Sequence, residues 1–89
     1  MRAIVTVIGV DRMGIIAGVS QILAELRVNV LDISQTVLQE YFAMIMLADL
    51  SQMTCSFAEL SAKLNDEGHL LGVSIQVQRE EVFKAMHQV

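Results

Sequence analysis

The 89-residue sequence predicts one α+β domain in which four strands and two helices follow in the order β-α-β-β-α-β, with a short C-terminal helix after them. Two segments, residues 3–9 and 41–50, are apolar on both faces, as in buried central strands. Residues 29–39 and 71–78 alternate apolar and polar side chains, which is typical of strands with one solvent-exposed face. Between these strands the apolar residues recur with a helical period.

The first predicted helix follows a turn that contains Gly9 and Gly14. Its apolar stripe consists of Ile15, Val19, Ile22, Leu23 and Leu26. Gly18 in the middle of this helix costs about 1 kcal/mol relative to alanine. A small residue at this position is consistent with a closely packed neighbouring element.

The second predicted helix begins with a capping box, in which Ser56 and Glu59 satisfy free backbone donors. Its apolar stripe is Phe57, Leu60 and Leu64, and Gly68 is placed to end it. Residues 80–87 predict a short tail helix with acidic residues in its first turn and a Glu80–Lys84 pair. Val82, Phe83 and Met86 share one side of that helix.

Right-handed crossovers place both helices on one face of a four-stranded antiparallel sheet, which is the ferredoxin-like βαββαβ sandwich. The first and third strands are central in this arrangement, and the second and fourth are edges. The sheet face without helices then carries an apolar stripe, which either a second copy or the tail helix must cover. The hydrophobic content of 54% is high for so small a chain, and we therefore expect a homodimer.

Composition excludes several classes of partner. The net charge is −4 and the six Lys and Arg residues are scattered, so we expect neither nucleic acid nor an anionic membrane surface as a partner. The longest apolar run, residues 41–48, is far short of the roughly 20 residues of a spanning helix. A single cysteine, Cys55, favours a cytoplasmic location, and with His69 and His87 far apart we expect no metal and no cofactor.

The most informative segment is the loop after the first strand, Asp-Arg-Met-Gly-Ile-Ile at residues 11–16. Together with the following helix and Asn-Val-Leu-Asp-Ile at residues 29–33, it resembles the ACT domain, an amino-acid-sensing module of many enzymes of amino-acid metabolism. Residues 32–36 and 41–47 are similar to a subgroup of stand-alone bacterial ACT-domain proteins related to glycine-cleavage regulators. The resemblance extends over essentially the whole chain.

The resemblance implies a dimer or higher oligomer that binds a small ligand, commonly an amino acid, where the first loop of one subunit meets another subunit. The residues themselves suit such a ligand. The backbone N–H groups of Gly14, Ile15 and Ile16 open a helix and favour a carboxylate. Asp11 can accept a hydrogen bond from an ammonium group, and we expect the fold to bring Asn29 near the loop. Arg12 completes the candidate site.

Each of these residues also has a plainer interpretation. Asp11 can cap the turn or the helix, and Arg12 can be a solvated loop charge. Asn29 can occupy a left-handed position in the turn before its strand, and Gly14 can be required by its own turn. No residue is assigned a catalytic role, because the sequence favours a regulatory domain over an enzyme.

Two alternatives stay open. An acylphosphatase shares this topology, and Arg12 and Asn29 can be cast as its phosphate-binding and water-positioning residues. Asp11 opposes that hypothesis because it would set a carboxylate against a phosphate dianion. The other alternative is a dimerising module that binds a partner enzyme or regulator protein and no ligand.

Overall fold

The computed structural model describes residues 1–86, and residues 87–89, including His87 of the predicted tail helix, lie outside the described part. The elements in chain order are β1 (Arg2–Val10), α1 (Ile15–Glu25), β2 (Asn29–Leu38), β3 (Tyr41–Asp49), α2 (Phe57–Leu71), β4 (Val73–Arg79) and α3 (Glu80–Met86). The sheet has the order β2-β3-β1-β4 and every pair in it is antiparallel. The predicted order, the two central strands and the two edge strands are confirmed.

The core lies between one face of the sheet and the two helices α1 and α2. Alternate residues of β1 and β3 point into it. These buried side chains are Ala3, Val5, Val7, Phe42, Met44, Met46 and Ala48. The helices contribute Ile15, Val19, Leu23, Leu60 and Leu64. Each large apolar side chain buried in this way contributes about 1.5–3 kcal/mol relative to exposure, which makes this layer the main source of stability.

The N-terminus of α2 has the predicted cap. The Ser56 hydroxyl oxygen accepts a hydrogen bond from the Glu59 N–H at 3.1 Å. The same hydroxyl donates to the Glu59 carboxylate at 3.2 Å. The cap therefore fixes where α2 begins, two residues after the half-buried Cys55.

The predicted end of α2 at Gly68 is wrong, because the helix continues to Leu71 and Gly72 is its C-cap. Gly72 has a left-handed φ of 73°, and its N–H bonds to the Gly68 carbonyl. Gly68 instead serves packing, since a Cβ on it would lie 2.7 Å from the Val73 carbonyl oxygen. The strand that was expected from residue 71 consequently begins at Val73.

The strand β2 is an edge strand, but the prediction of one buried face is wrong. All ten of its residues are exposed. A register shift between Val30 and Asp32 leaves Leu31 outside the ladder, so Leu31 and Ile33 are not equivalent positions on one face. α2 lies against β4, and α1 contacts α2 and β2, yet every residue of β2 stays exposed.

The short helix α3 returns over the helix-free face of the sheet. Glu80 forms a two-pronged ion pair with Arg2, with Arg2 Nε 3.1 Å from Glu80 Oε1. The Gln78 side-chain amide donates to the Met86 sulfur at 3.3 Å. Arg2 is the close partner of Glu80, because β1 brings the guanidinium beside the start of α3, and the charge of Lys84 also acts on Glu80, as the predicted pair requires. Within residues 1–86, no helix is long and apolar enough to span a membrane.

Candidate functional site

The first loop joins the end of β1 to the start of α1 and is fixed to the turn between β2 and β3. The backbone N–H of Asp11 donates to the Glu40 carbonyl oxygen at 2.7 Å. Gln39, beside Glu40 in that turn, has a left-handed φ of 56°, and the two residues form the predicted short connection. The loop thus has a defined position at one end of the sheet.

Gly14 shapes the N-terminus of α1. Its φ of 88° is a left-handed conformation that favours glycine, so the turn requirement predicted for it is confirmed. A Cβ added at Gly14 would meet nothing within 4 Å, and the backbone is therefore open to an approaching group. The first intrahelical bond runs from Gly18 N–H to the Gly14 carbonyl at 2.8 Å.

The backbone donors before that bond give the loop its chemistry. The N–H groups of Ile15 and Ile16 precede the first helical hydrogen bond, and the first turn of α1 carries no acidic residue. The positive end of the helix dipole adds to these donors. This end of α1 can accept an anionic group such as a carboxylate.

The Asp11 side chain is exposed in the same loop, three residues before Gly14. It accepts no hydrogen bond from the described part of the chain, so the capping role considered for Asp11 does not occur there. Met13, the neighbouring loop residue, is 97% exposed. The carboxylate is therefore available to a cationic partner.

Arg12 points to the other side of the loop. Its guanidinium lies over the C-terminus of α2, where a Cβ on Gly72 would be 3.3 Å from Arg12 Nη2. A cation at a helix C-terminus is favourable because it faces the negative end of the dipole. Arg12 thus has a structural contact of its own, rather than being only a solvated loop charge.

The expectation that Asn29 lies near the loop is wrong within one chain. Asn29 pairs with Asp49, which pairs with Arg2 at the start of β1. The loop follows Val10 at the opposite end of β1. Eight residue steps of about 3.4 Å separate the two ends, or roughly 27 Å. The physical reason is the chain direction: α1 runs back along the sheet, so β2 begins where β1 began.

The left-handed turn role considered for Asn29 is also wrong. The residue with positive φ between α1 and β2 is Arg27, at 60°. Asn29 is an exposed first residue of β2, beside Asp49. The Ser51 N–H and hydroxyl both donate to Asp49 and lower the pKa of that carboxyl below its usual value.

The same separation removes the geometry on which the acylphosphatase alternative depended. Arg12 contacts the C-terminus of α2, whereas Asn29 lies at the far end of the sheet. The two side chains cannot face one phosphate within a single chain. Among residues 1–86, no three His, Cys, Asp or Glu side chains are grouped to hold a metal ion.

Three contacts around the loop were not predicted. The Glu40 carbonyl holds Asp11, and Gly72 accommodates Arg12. The half-buried Glu67 places its carboxylate against α1, where a Cβ on Gly18 would be 2.5 Å from Oε2. Gly18 signalled a close neighbour, but nothing in the spacing identified which residue it was.

The first loop is open in a single subunit. The grooves beside β4 lie elsewhere: one of 680 Å³ is lined by α2 and β4, and one of 360 Å³ by the α2–β4 turn. Neither includes a residue of the loop. A ligand bound at the loop would need a further surface to enclose it.

The chain matches the model of the ACT domain over residues 2–78 and belongs to that family. It is 57% identical to a UPF0237 protein of Clostridium acetobutylicum over the full length of both chains. An ACT domain protein from Streptococcus pneumoniae has a solved structure with a TM-score of 0.82 and 45% identity, covering 98% of each chain. The family resemblance read from the loop is therefore confirmed.

A more distant structure shows the fold alone. It is assigned to a glycine cleavage system transcriptional repressor and has a TM-score of 0.74 and 20% identity, covering 88% of this chain and 44% of that one. The ACT domain is a regulatory fold that binds small ligands, and the family is regulatory rather than catalytic. The UPF0237 relative is aligned over its full length of 89 residues.

Proposed function

We propose that this protein is a regulatory domain that binds an amino acid as a homodimer, with the ligand held between the first loop of one subunit and the start of β2 of the other. One observation carries the proposal. The two polar groups suited to an amino acid, at Asp11 and Asn29, lie at opposite ends of one chain, yet a two-fold axis beside β2 would bring them together.

The outer edge of β2 supports this geometry. Within residues 1–86 this strand pairs only with β3, so its other edge is available to a second β2. Ile33 and Val37 lie on the helix side of the sheet, opposite Met46 and Phe42, but are 46% and 54% exposed. Antiparallel pairing of two β2 strands would extend the sheet and cover these apolar side chains.

Pairing over the full length of β2 sets the partner subunit's Asn29 beside Leu38. Leu38 is in register with Tyr41, which is in register with Val10 at the base of the loop. Three strand spacings of about 4.8 Å then separate Val10 from the partner's Asn29, or roughly 14 Å. Two side chains and one small amino acid span such a gap.

The chemistry of the two ends suits a zwitterion. The free N–H groups at the start of α1 take the carboxylate, and the Asp11 carboxylate takes the ammonium group. The partner's Asn29 adds a donor and an acceptor, which can bind either group or a polar side chain of the ligand. Arg12 stays on α2 and stabilises the loop rather than contacting the ligand.

A thermal-shift screen of the twenty amino acids tests this function. At least one should raise the melting temperature with concentration, because a ligand that binds only the folded state stabilises it by about 2.7 kcal/mol at a hundredfold excess over Kd. Asp11→Ala and Asn29→Ala should each weaken the shift, and Asp66→Ala, at an exposed position on α2, should retain it. A full shift in both site variants would overturn the site.

A second candidate function is a dimerising interaction module that binds a partner enzyme or regulator without a ligand. Exposed apolar side chains around the first loop favour it: Met13 is 97% exposed, Leu70 80% and Leu38 70%. The ends of α2 and β2 lie at the same end of the sheet as the loop. If no amino acid shifts the melting temperature and the dimer is retained, this second function replaces the first.

A further inference from the structure

The groove of 680 Å³ between α2 and β4, called here the edge groove, runs along the outer edge of β4. It is lined by residues 75–78 of β4 and by five residues of α2. Successive side chains of a strand point to opposite faces of its sheet, so a groove that touches four consecutive residues follows the edge of the strand rather than one face. Because β1 occupies the inner edge of β4, the groove lies along the outer one.

The backbone of β4 is unpaired along this outer edge. Within residues 1–86, β4 pairs with β1 alone, and no other backbone group bonds to residues 75–78. Alternate residues of an antiparallel strand direct both their N–H and their C=O away from the existing partner strand. Every second residue here therefore presents a donor and an acceptor to the groove, and such a row of groups binds another extended backbone.

The outer edge of β4 also lacks the features that prevent strand addition. Edge strands of natural proteins are commonly blocked by a charged side chain, a proline or a bulge. The ladder of β4 with β1 is regular, and residues 73–78 include no charge and no proline. On α2 the small side chains of Ala58, Ser61 and Ala62 line the groove, which leaves room beside the strand.

The position of α2 excludes the β4 strand of a second copy as the occupant. A Cβ on Gly68 would lie 2.7 Å from the Val73 carbonyl oxygen and 3.5 Å from the Ile75 nitrogen, so α2 lies on β4 itself. Two β4 strands paired edge to edge would be about 4.8 Å apart, and the helices on them would be about as close. Packed helices need about 8–10 Å between their axes. The added strand must therefore be one that carries no helix of its own.

A cation at one end of the edge groove indicates the charge of the occupant. The Arg79 guanidinium carbon lies 4.7 Å from the centroid of the Phe57 ring, and Phe57 lines the groove. Arg79 forms no ion pair in the described part of the chain, and none of the nine lining residues is charged. A guanidinium stacked on a ring still has N–H donors for a carboxylate. The groove thus suits an uncharged segment with an acidic residue at one end.

We propose that the edge groove binds an extended segment of a partner protein, which adds a fifth strand to the sheet beside β4 and sets an acidic side chain against Arg79. Residues 75–78 pair with roughly four residues of such a segment, over about 14 Å. The groove includes no residue of the first loop. The interface therefore does not depend on amino-acid binding, and each proposal can fail without the other.

Selection from a random heptapeptide library displayed on phage, with the intact protein as bait, tests the interface. Enriched peptides should carry an acidic residue at one end and uncharged β-branched or aromatic residues after it. Selection on Arg79→Glu should replace the acidic residue with a basic one. Lys63→Glu, the same charge change at an α2 position outside the groove, should keep the acidic residue. Failure to enrich a peptide, or an unchanged preference on Arg79→Glu, would overturn the proposal.

The affinity of the best enriched peptide, synthesised with a fluorescent label and measured by anisotropy, gives a second readout. Ala62→Trp fills the groove from an exposed position and should weaken binding about tenfold or more. Ala24→Trp, at an exposed position on α1, should leave the affinity unchanged. Methylation of successive peptide nitrogens should weaken binding at every second position only, because alternate N–H groups pair with β4. Equal effects of the two tryptophans, or a uniform methylation scan, would contradict strand addition.

Two measurements on Ala62→Trp separate this interface from the other associations of the chain. Its thermal shift with amino acids should equal that of the wild type, because the groove lies apart from the first loop. Light scattering should give the same mass for Ala62→Trp, Ala24→Trp and the wild type. A larger wild-type assembly that only Ala62→Trp abolishes would assign the groove to the β2 edge of another copy and overturn the proposal.

Discussion

Asp11 donates its backbone N–H to the carbonyl oxygen of Glu40 at 2.7 Å, and this bond ties the first loop to the turn that ends β2. The bond matters because it holds the loop at the end of the sheet where β2 ends. Whatever pairs with β2 is brought beside the loop. In the proposed dimer, this bond would bring the loop of one subunit close to Asn29 of the other.

Two helical glycines predict opposite responses to alanine. At Gly68 a Cβ would lie 2.7 Å from the Val73 backbone oxygen, which cannot move without disturbing β4, so Gly68→Ala should destabilise the domain by about 1–3 kcal/mol. At Gly18 the obstructing atom is the flexible end of Glu67, so Gly18→Ala should be neutral or stabilise by up to about 1 kcal/mol. Urea denaturation measures both, and changes of the same sign and size would contradict the packing described.

Removing the N-terminal cap of α2 should also destabilise the domain. Ser56→Ala removes the acceptor of the Glu59 N–H and should lower the free energy of unfolding by about 1 kcal/mol. Ser20→Ala, at an exposed position inside α1, is the matched control and should be neutral or slightly stabilising. A Ser56→Ala loss no larger than that of the control would show that the cap contributes nothing.

The Arg2–Glu80 pair predicts an acid-dependent release of α3. The hydrogen bond and charge of Arg2 lower the pKa of Glu80 below its usual value. The attachment should therefore be complete at neutral pH and be lost only as the pH falls through that lowered pKa. The NMR signal of the Met86 methyl group should follow this transition in the wild type. In Glu80→Gln the transition should be absent, and an unchanged acid transition there would exclude Glu80 as its cause.

The sequence predicted most of the fold because the periodicities are strong and the two strands apolar on both faces are the ones that topology makes central. The end of α2 was predicted wrongly because Gly68 and Gly72 lie one turn apart and either can end a helix. Only the closeness of Val73 to Gly68 distinguishes the two glycines. The prediction of a buried face on β2 was wrong: its pattern is apolar enough to face a core, but all ten of its residues are exposed.

The candidate site was predicted less well than the fold. The glycine and the free donors of the loop follow from local sequence, and the structure has them where expected. The position of Asn29 does not depend on local sequence but on strand direction, which is the same before and after each of the helices α1 and α2. The element order already implies that β2 starts at the far end from the loop, so this error was avoidable. The contact of Arg12 with Gly72 joins residues 60 positions apart, and no pattern signals it.

The central claim, that one site is built from Asp11 of one subunit and Asn29 of the other, is tested most directly by mixing the two variants. Asp11→Ala and Asn29→Ala should each lose binding of the amino acid that gives the largest wild-type shift. Refolded together in equal amounts, they should recover about a quarter of the wild-type binding capacity in a calorimetric titration, because half of the dimers are mixed and each of these has one intact site. No recovery in the mixture would contradict a site shared between subunits.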